Sequence, residues 1–208
     1  MFIDFRGIQD AWMRGQSAQL GEQLDYFENS RRAVYAQQKY AHDNPGGWAG
    51  YTSEVWGLTA CDGPGDFKQL IDGKEREFFS YSARGPGERD DGTLAPTAAA
   101  SSIAFAPEIV VPCVKAMRAK YGSAIYTEWG FLDSFNPTLT VRDGPLQHGR
   151  IVDGVGWVDG DYLGIDQGPI VIMTENHRSE FVWRYMRGEP NLRRALDIAG
   201  FTGGWMNG

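Results

Sequence analysis

The stretch YLGIDQGPIVIMTENHRS, residues 162–179, places one carboxylate, Asp166, between two glycines and ahead of Pro169 and four consecutive apolar residues. A proline is tolerated in the first turn of an α-helix, where its missing N–H has no intrahelical partner. The pattern predicts a helix that begins after Gly168 and runs to residue 187. Asp166 would cap this helix, where the dipole and free N–H groups favour the anion and lower its pKa. We therefore expect an ionised Asp166 that accepts a proton more readily than it donates one.

The other helix signals lie on either side of long glycine-rich connections. Two of these connections, residues 62–92 and 123–163, are predicted as loops. Capping residues, first-turn prolines and apolar spacing set the remaining boundaries. Because alternation with a period of two is almost absent, we predict an all-α fold of paired helices joined by long Gly-rich loops. The predicted helices cover residues 25–43, 96–106, 107–121, 168–187 and 190–199, with a short element at 54–60.

Composition and charge exclude several classes of protein. The 208 residues carry 20 basic and 27 acidic side chains, a net charge of −7, without a Lys/Arg stripe that would neutralise nucleic-acid phosphates. No apolar run of about 18 residues could span a bilayer, and the N-terminus MFIDFRGIQD lacks the basic start and apolar core of a signal peptide. We predict neither a nucleic-acid partner nor membrane insertion. The length suits one sizeable hydrophobic core.

Cysteine and histidine are too few and too scattered to indicate metal or nucleophilic chemistry. Cys61 and Cys113 lack CxxC or Cys/His spacing, which predicts free thiols or one optional disulfide. His42, His148 and His177 do not pair with Ser or Cys at motif spacing. The sequence therefore predicts no metal site and no cofactor.

Acidic residues beside glycine, proline or tryptophan are the strongest chemical signal. Carboxylates held in loops at helix ends, among aromatic rings, are what hydrolysis of a glycosidic bond needs, because one acid protonates the leaving oxygen and a second activates water or attacks. Flat aromatic faces stack on sugar rings. The alternative is that each Asp-Gly pair is only turn chemistry. The acids are Asp62, Asp90, Asp91, Asp133, Asp159, Asp161 and Asp166, and the aromatic residues are Trp56, Trp129, Trp157 and Tyr162.

Three arginines and one glutamate have two interpretations each. The guanidinium forks of Arg6, Arg31 and Arg32 could hold a carboxylate or sugar hydroxyls, or each could be a structural partner of a nearby acid. Glu175 and Arg178 are spaced i,i+3 and could form a plain intrahelical pair, or could face an interior groove.

Six ordered blocks resemble the bacterial glycoamylase-like (glucoamylase-like) domain family, which includes endo-β-1,2-glucanases and domains of cyclic β-1,2-glucan synthases. The resemblance implies an (α/α)6 toroid with a sugar cleft and a glucan or glucose oligosaccharide as ligand. It implies no compartment, although family members are often periplasmic or secreted. The blocks are IDFRGIQDAWM, DYFENSRRAVYAQQKYA, EVWGLTACDGPGD, DDGTLAPTAAASSIAFAPE, GFLDSFNPT and YLGIDQGPIVIMTENHRSEFVW.

The chain departs from this family in length, because family domains are about twice as long and their N-terminal half carries an essential acid of the cleft. We therefore expect residues 1–208 to form a single partial domain, the C-terminal half of the family domain, as an incomplete (α/α)6 toroid of about three helical hairpins. Half a ring would leave two apolar edges, which a second chain supplying the other half-domain could cover.

The resemblance implies a glycoside hydrolase of endo-β-1,2-glucanase type, with carboxylate general acid/base catalysis. A truncated, non-catalytic glucan-binding remnant is the alternative, and a polysaccharide lyase using Tyr162 and Asn176 is a third possibility. Asp166 is predicted to be the general base, with Glu54 as a second catalytic acid. The predicted substrate-binding residues are Arg6, Trp56, Asp62, Asp91, Asp133, Trp157, Tyr162 and Glu175.

Overall fold

The computed structural model describes residues 1–207. The fold of these residues is mixed α/β. Helix accounts for 42% of the chain and strand for 16%, spread over several small sheets. The predicted all-α class, and with it the incomplete (α/α)6 toroid of three helical hairpins, is therefore wrong. The strands are two to five residues long, so few of them offer enough positions for an alternating pattern to be visible in the sequence.

Two long helices follow their sequence signals closely. The Asp25 side chain accepts a hydrogen bond from the Glu28 N–H at 2.7 Å and begins the second helix, which Asn44 ends in the left-handed region. A first-turn proline begins the fourth helix and Gly122 ends it. The helices are α1 (Ala11–Leu20), α2 (Tyr26–Asp43), α3 (Pro96–Ala100), α4 (Pro107–Tyr121), α5 (Gly164–Ser179), α6 (Phe181–Arg187) and α7 (Pro190–Ile198).

Other helix boundaries differ from the prediction. Helix α5 begins at Gly164, so Asp166 lies within its first turn, and Leu163 occupies the cap position without a side-chain hydrogen bond. The predicted helix 168–187 is interrupted at Glu180, whose φ of 56° ends α5 and starts α6. The predicted helix 96–106 ends after five residues, and α1, capped by Asp10, was not predicted.

Short antiparallel strands occupy the connections that were predicted as loops. The β3–β4 hairpin turns at Asp72 and Gly73, both with positive φ, as a tight hairpin turn requires. Strands β8, β10 and β9 form a three-stranded sheet, while β1–β11, β2–β5, β3–β4 and β6–β7 are pairs. The strands are β1 (Ile8–Gln9), β2 (Ala60–Cys61), β3 (Phe67–Ile71), β4 (Lys74–Phe78), β5 (Ser82–Ala83), β6 (Tyr126–Thr127), β7 (Gly130–Phe131), β8 (Phe135–Asn136), β9 (Arg150–Val152), β10 (Gly156–Val158) and β11 (Thr202–Gly203).

The main hydrophobic core lies between α2, α4, strand β8 and the connection that contains Trp56. A smaller core joins the β3–β4 hairpin to Leu139 and Trp157. Both cysteines are buried free thiols. Across residues 1–207, no helix is both long and apolar enough to cross a membrane. The end of β2, the start of α5 and the turn before β8 meet at one place beside the main core, where the candidate site lies.

Candidate active site

A cavity of about 280 Å³ opens where β2, α3 and the first turn of α5 meet. Tyr81 and Ile165, which are 66% and 79% exposed, stand at its rim. Asp133 and Asp166, which are 1% and 6% exposed, lie in its wall. The cavity thus joins an accessible entrance to nearly buried carboxyl groups. Its other lining residues are Thr59, Ala60, Cys61, Asp62, Thr97, Ala98, Ser101, Leu163 and Pro169.

Backbone hydrogen bonds hold Asp133 against the end of β2. The Asp62 N–H donates to Asp133 Oδ2 at 2.8 Å, and the Ser134 hydroxyl donates to the Asp62 carbonyl at 2.8 Å. The Asp133 N–H itself donates to the Asp161 carbonyl at 3.0 Å. These three bonds tie together segments that are distant in the sequence, and they fix one carboxyl oxygen of Asp133.

The second oxygen of Asp133 belongs to a carboxyl pair with Asp166. Among the described residues, Asp133 Oδ1 and Asp166 Oδ2 are buried and no N–H or O–H group donates to them. The two carboxyl groups lie close enough for a hydrogen bond between them to shift both pKa values. Two carboxyl groups can form that bond only if one of them carries a proton. A shared proton therefore satisfies both oxygens.

The pKa values assign this proton to Asp133. Burial, together with the hydrogen bond and charge of Asp166, raises the pKa of Asp133 to about 8, although the Asp62 N–H opposes the shift. Burial also raises the pKa of Asp166, but the hydrogen bond from Asp133 lowers it. The sequence-based expectation that the pKa of Asp166 would be lowered is wrong, because burial, together with the charges of Asp62 and Asp159, raises it.

Three further carboxylates lie beside the pair. Oxygens of Asp62, Asp159 and Asp161 are all within 4.8 Å of one another, and Asp159 is 2% exposed. Burial raises the pKa of Asp159, and Asp62 and Asp159 both act electrostatically on Asp166. This group could hold a divalent cation or accept hydrogen bonds from several hydroxyl groups. The acids in the cavity wall and beside it favour a neutral ligand rich in hydroxyl groups over an anion.

Comparison with known proteins identifies the fold. Residues 1–190 match the sequence profile of the Glycoamylase family, described as "Putative glucoamylase". The chain belongs to this family. The resemblance seen in the six sequence blocks is thereby confirmed.

Glycoamylase relatives with solved structures share the fold over nearly the whole chain. A glucoamylase-like protein from Bacteroides uniformis superposes with a TM-score of 0.74 at 33% identity, covering 99% of this chain and 40% of its own. An endo-β-1,2-glucanase from Chitinophaga pinensis, solved with sophorotriose and glucose, gives a TM-score of 0.71 at 28% identity, covering 96% and 38%. An exo-β-1,2-glucooligosaccharide sophorohydrolase from Parabacteroides distasonis is 30% identical over 173 residues, 83% of this chain and 20% of that protein. The chain thus spans about two fifths of the solved relatives and one fifth of the curated one.

Three of the predicted site residues of this glycoamylase chain come together. Asp62, Asp133 and Asp166 line the same cavity. Tyr162 adjoins the cavity residue Leu163, and its hydroxyl is hydrogen-bonded to that of Thr127. The three acids therefore converge although Asp62 and Asp166 are 104 positions apart in the chain.

The predicted stacking and cleft residues Trp56, Trp157 and Asp91 lie in the interior. Trp56 is 1% exposed and Trp157 is 0% exposed, so neither ring offers a free face to a sugar. The Trp157 indole N–H donates to the His148 carbonyl at 2.8 Å. Asp91 is fully buried in an ion pair with Arg84.

Three more predicted residues lie apart from the cavity wall described above. Arg6 pairs with Asp4 and Glu180, both at 2.8 Å, and lies over Trp183. Glu175 forms the intrahelical pair with Arg178 at 2.9 Å. Glu54 is exposed in a turn closed by Thr52.

Arg31 and Arg32 have structural partners. Arg31 pairs with Glu108 at 2.8 Å, and Arg32 pairs with Glu22 at 2.9 Å and Glu28 at 3.1 Å.

Sequence reasoning missed the uncharged residues of the site. Thr97 donates to the Asp166 carbonyl at 3.2 Å and Ser101 lines the cavity, but both lie in an Ala-rich helical segment that reads as core. Tyr81 stands in a connection without a motif. Asp159 was counted among the loop acids and could have been assigned to the site from its spacing to Asp161.

Proposed function

We propose that this chain is part of a glycoside hydrolase that cleaves β-1,2-linked glucan, with Asp166 as the general base that activates water. The buried Asp133–Asp166 pair in the wall of an accessible cavity is the observation that carries this proposal. The printed activities of the Chitinophaga and Parabacteroides relatives support the substrate class. The cluster of Asp62, Asp159 and Asp161 supplies acceptors for sugar hydroxyls.

The two acids of the pair have different tasks. Asp133, with a pKa of about 8, is protonated at neutral pH and donates to Asp166. Asp166 is then the ionised partner, and its raised pKa makes it a stronger base than an ordinary aspartate. A base of this kind accepts a proton from a water molecule that attacks the anomeric carbon.

The pair does not itself provide both catalytic carboxyls. An acid and a base or nucleophile that flank a glycosidic bond are about 5–9.5 Å apart, whereas directly hydrogen-bonded carboxyls are closer than that. Asp133 therefore positions Asp166, and a third group protonates the leaving oxygen. Because the solved relatives are about two and a half times as long as the matched segment, we propose that this donor lies in the part of the family domain outside residues 1–208.

The apolar face of α5 is where that remaining part would dock. Val171 is 66% exposed on this helix, and Trp129, on the turn between β6 and β7, is 72% exposed. Beside them a groove of about 530 Å³ lies between α4, α5 and the β6–β7 pair. An exposed apolar patch of this kind indicates an interaction surface. We propose that its occupant is the part of the family domain that the solved relatives contain beyond their match to this chain, whether it is joined to this chain or supplied by a second one.

The test uses this chain with and without a polypeptide holding the part of the Bacteroides uniformis relative that lies outside the match. Calorimetry with sophorotriose measures binding, and reducing-sugar release from linear β-1,2-glucan measures hydrolysis. We expect binding by the chain alone and release only by the mixture, with release lost in Asp166→Asn. Absence of binding, or equal release by Asp166→Asn, would overturn the proposal. Binding without release by the mixture would instead favour a non-catalytic glucan-binding protein.

A further inference from the structure

A second buried carboxylate, Asp91, forms a closed network with Arg84 next to the cavity. Both side chains are 0% exposed. Arg84 donates to the two oxygens of Asp91 through Nε and Nη2, each at 2.8 Å, in the bidentate geometry that suits a guanidinium. The N–H groups of Phe79 and Thr93 donate to the same carboxylate at 3.0 Å. Burial lowers the pKa of Arg84, but the bonds to Asp91 more than offset this and keep it charged.

The remaining donors of Arg84 reach backbone carbonyls. Nη2 donates to the carbonyls of Phe79 at 3.0 Å and Ser80 at 3.1 Å. Nη1 donates to the Cys61 carbonyl at 2.8 Å. The guanidinium thereby joins the end of β2 to the connection between β4 and β5. Room for it exists because residue 63 is glycine, where a Cβ would lie 2.2 Å from Arg84 Nη2.

One peptide group connects this network to the catalytic pair. The Cys61 carbonyl that accepts from Arg84 and the Asp62 N–H that donates to Asp133 Oδ2 belong to the same planar unit. A cation at the carbonyl end polarises the peptide and strengthens its N–H as a donor. Because the unit is rigid, fixing the carbonyl also fixes the direction of the N–H.

We propose that Arg84 is a positioning residue for the catalytic pair, acting on Asp133 through the peptide group between residues 61 and 62. The inference rests on the proposed function, which assigns Asp133 and Asp166 to catalysis. Arg84 keeps Asp133 Oδ2 in its hydrogen bond with the Asp62 N–H. The other oxygen, Oδ1, then carries the proton and faces Asp166. Arg84 touches neither carboxyl of the pair in the described structure, so its influence depends on the peptide.

The charges around Asp133 make the effect measurable. Asp166 faces it from α5, Asp62 from the end of β2, and Asp159 and Asp161 from the segment after β10. Burial and the acids Asp166 and Asp159 favour the protonated form of Asp133, and the Asp62 N–H opposes them. Loss of the peptide alignment therefore raises the pKa of Asp133 further.

The experiment measures the pKa of Asp133 directly by ¹³C carboxyl NMR on the whole chain, with the resonance assigned by its absence in Asp133→Asn. We expect Arg84→Lys and Arg84→Gln each to raise the proton affinity of Asp133 about tenfold. Lysine keeps the charge but cannot hold Asp91 and the Cys61 carbonyl together. If the pKa of Asp133 rises in Arg84→Gln but not in Arg84→Lys, the effect is one of charge only, and the proposal is overturned. Met117→Ala, which destabilises the core away from the site, is the matched control and should leave this pKa unchanged.

A second measurement needs no substitution at Arg84. In the unmodified chain the ¹H shift of the Asp62 amide should titrate with the same midpoint as the Asp133 carboxyl, because the two share a hydrogen bond. An Asp62 amide that does not respond at this midpoint would overturn the proposal even if the Arg84 variants fail to fold. Neither readout depends on hydrolysis, so the proposed function and this inference can fail separately.

Discussion

Asp91 and Asp133 are equally hidden from solvent, yet their surroundings are opposite. Asp91 accepts from the Arg84 guanidinium and two backbone N–H groups, so every lone pair that faces the protein has a donor. Asp133 accepts from one backbone N–H and otherwise meets another acid. A buried acid paired with a cation stabilises the fold, whereas a buried acid facing an acid stores a proton close to neutral pH. Sequence reasoning had given both residues the same role.

The largest effect should come from Asp166→Asn. It removes the only member of the pair that is ionised at neutral pH, so we expect reducing-sugar release by the proposed hydrolase to fall about 10²–10⁴-fold. Asp133→Asn is the matched variant, because its amide can still accept from the Asp62 N–H and donate to Asp166, and it should retain most of the turnover. Reducing-sugar release from β-1,2-glucan compares the two. Equal losses would mean that Asp133 itself transfers a proton to substrate.

Next in size is Asp91→Ala, which leaves the Arg84 charge buried and unpaired. We expect the free energy of unfolding to fall by about 3–5 kcal/mol. Urea denaturation followed by circular dichroism measures this loss. Exposed ion pairs contribute less than about 1 kcal/mol. A loss in that range would mean that Asp91 does not stabilise the fold and cannot be contrasted with Asp133 on this ground.

Asp133→Asn should have a smaller effect on stability, and of opposite sign. The folded pKa of Asp133 is raised to about 8, so the folded state holds this proton while the unfolded state releases it near pH 4. The free energy of unfolding of the unmodified chain therefore falls as pH rises between these values. The asparagine amide does not titrate, so the Asp133→Asn variant does not show this fall. We expect Asp133→Asn to be more stable than the unmodified chain at pH 8.5 by at least about 1 kcal/mol, with the difference reversed or absent at pH 4. Parallel pH profiles of the two proteins would contradict this.

The smallest effect should come from Glu180→Gln, where an acid meets cations at the surface. Hydrogen bonds from Arg6 and then Arg187 lower the pKa of Glu180 to about 2, but its side chain is 41% exposed. Solvent screening limits such a pair, so we expect a loss of less than about 1 kcal/mol that diminishes in 1 M salt. Thermal unfolding at two salt concentrations measures it. A loss as large as that of Asp91→Ala would show that partner charge, rather than burial, governs these acids.

The parts of the fold that could be predicted are those with local causes. The boundaries of α2 and α4 follow from Asp25, Asn44, Pro107 and Gly122, which act within one helical turn. The β3–β4 hairpin also had a local signal, the Asp72–Gly73 pair, but it was assigned to a loop. The very short strands could not be predicted, because two or three residues show no alternating pattern and several of them, such as β1 with β11, pair across long stretches of chain. Their stability comes from tertiary contacts rather than from their own few residues.

The sequence predicted the chemical type of the site residues, but not which individual residues line the cavity. Acids beside glycine indicated Asp62, Asp133 and Asp166, but the same pattern included Asp91. Only the buried position of Arg84 separates them. A tryptophan in a Gly-rich connection looks the same in sequence whether it faces a cavity or, like Trp157, fills a core. Burial and long-range partners decide these roles, and no short window of sequence contains them.

Gly63 shows how the Arg84–Asp91 network restricts the residue that can occupy a neighbouring position. Its φ is not among the positive values, so the Asp62–Gly63 dipeptide is not a turn that needs a flexible residue. It is glycine because the guanidinium and the Phe79 carbonyl both lie 2.2 Å from where a Cβ would be. Residues 63, 84 and 91 therefore cannot drift independently. A side chain at position 63 would overlap both the Arg84 guanidinium and the Phe79 carbonyl, so a change there requires compensating changes at Arg84 and in the backbone around Phe79.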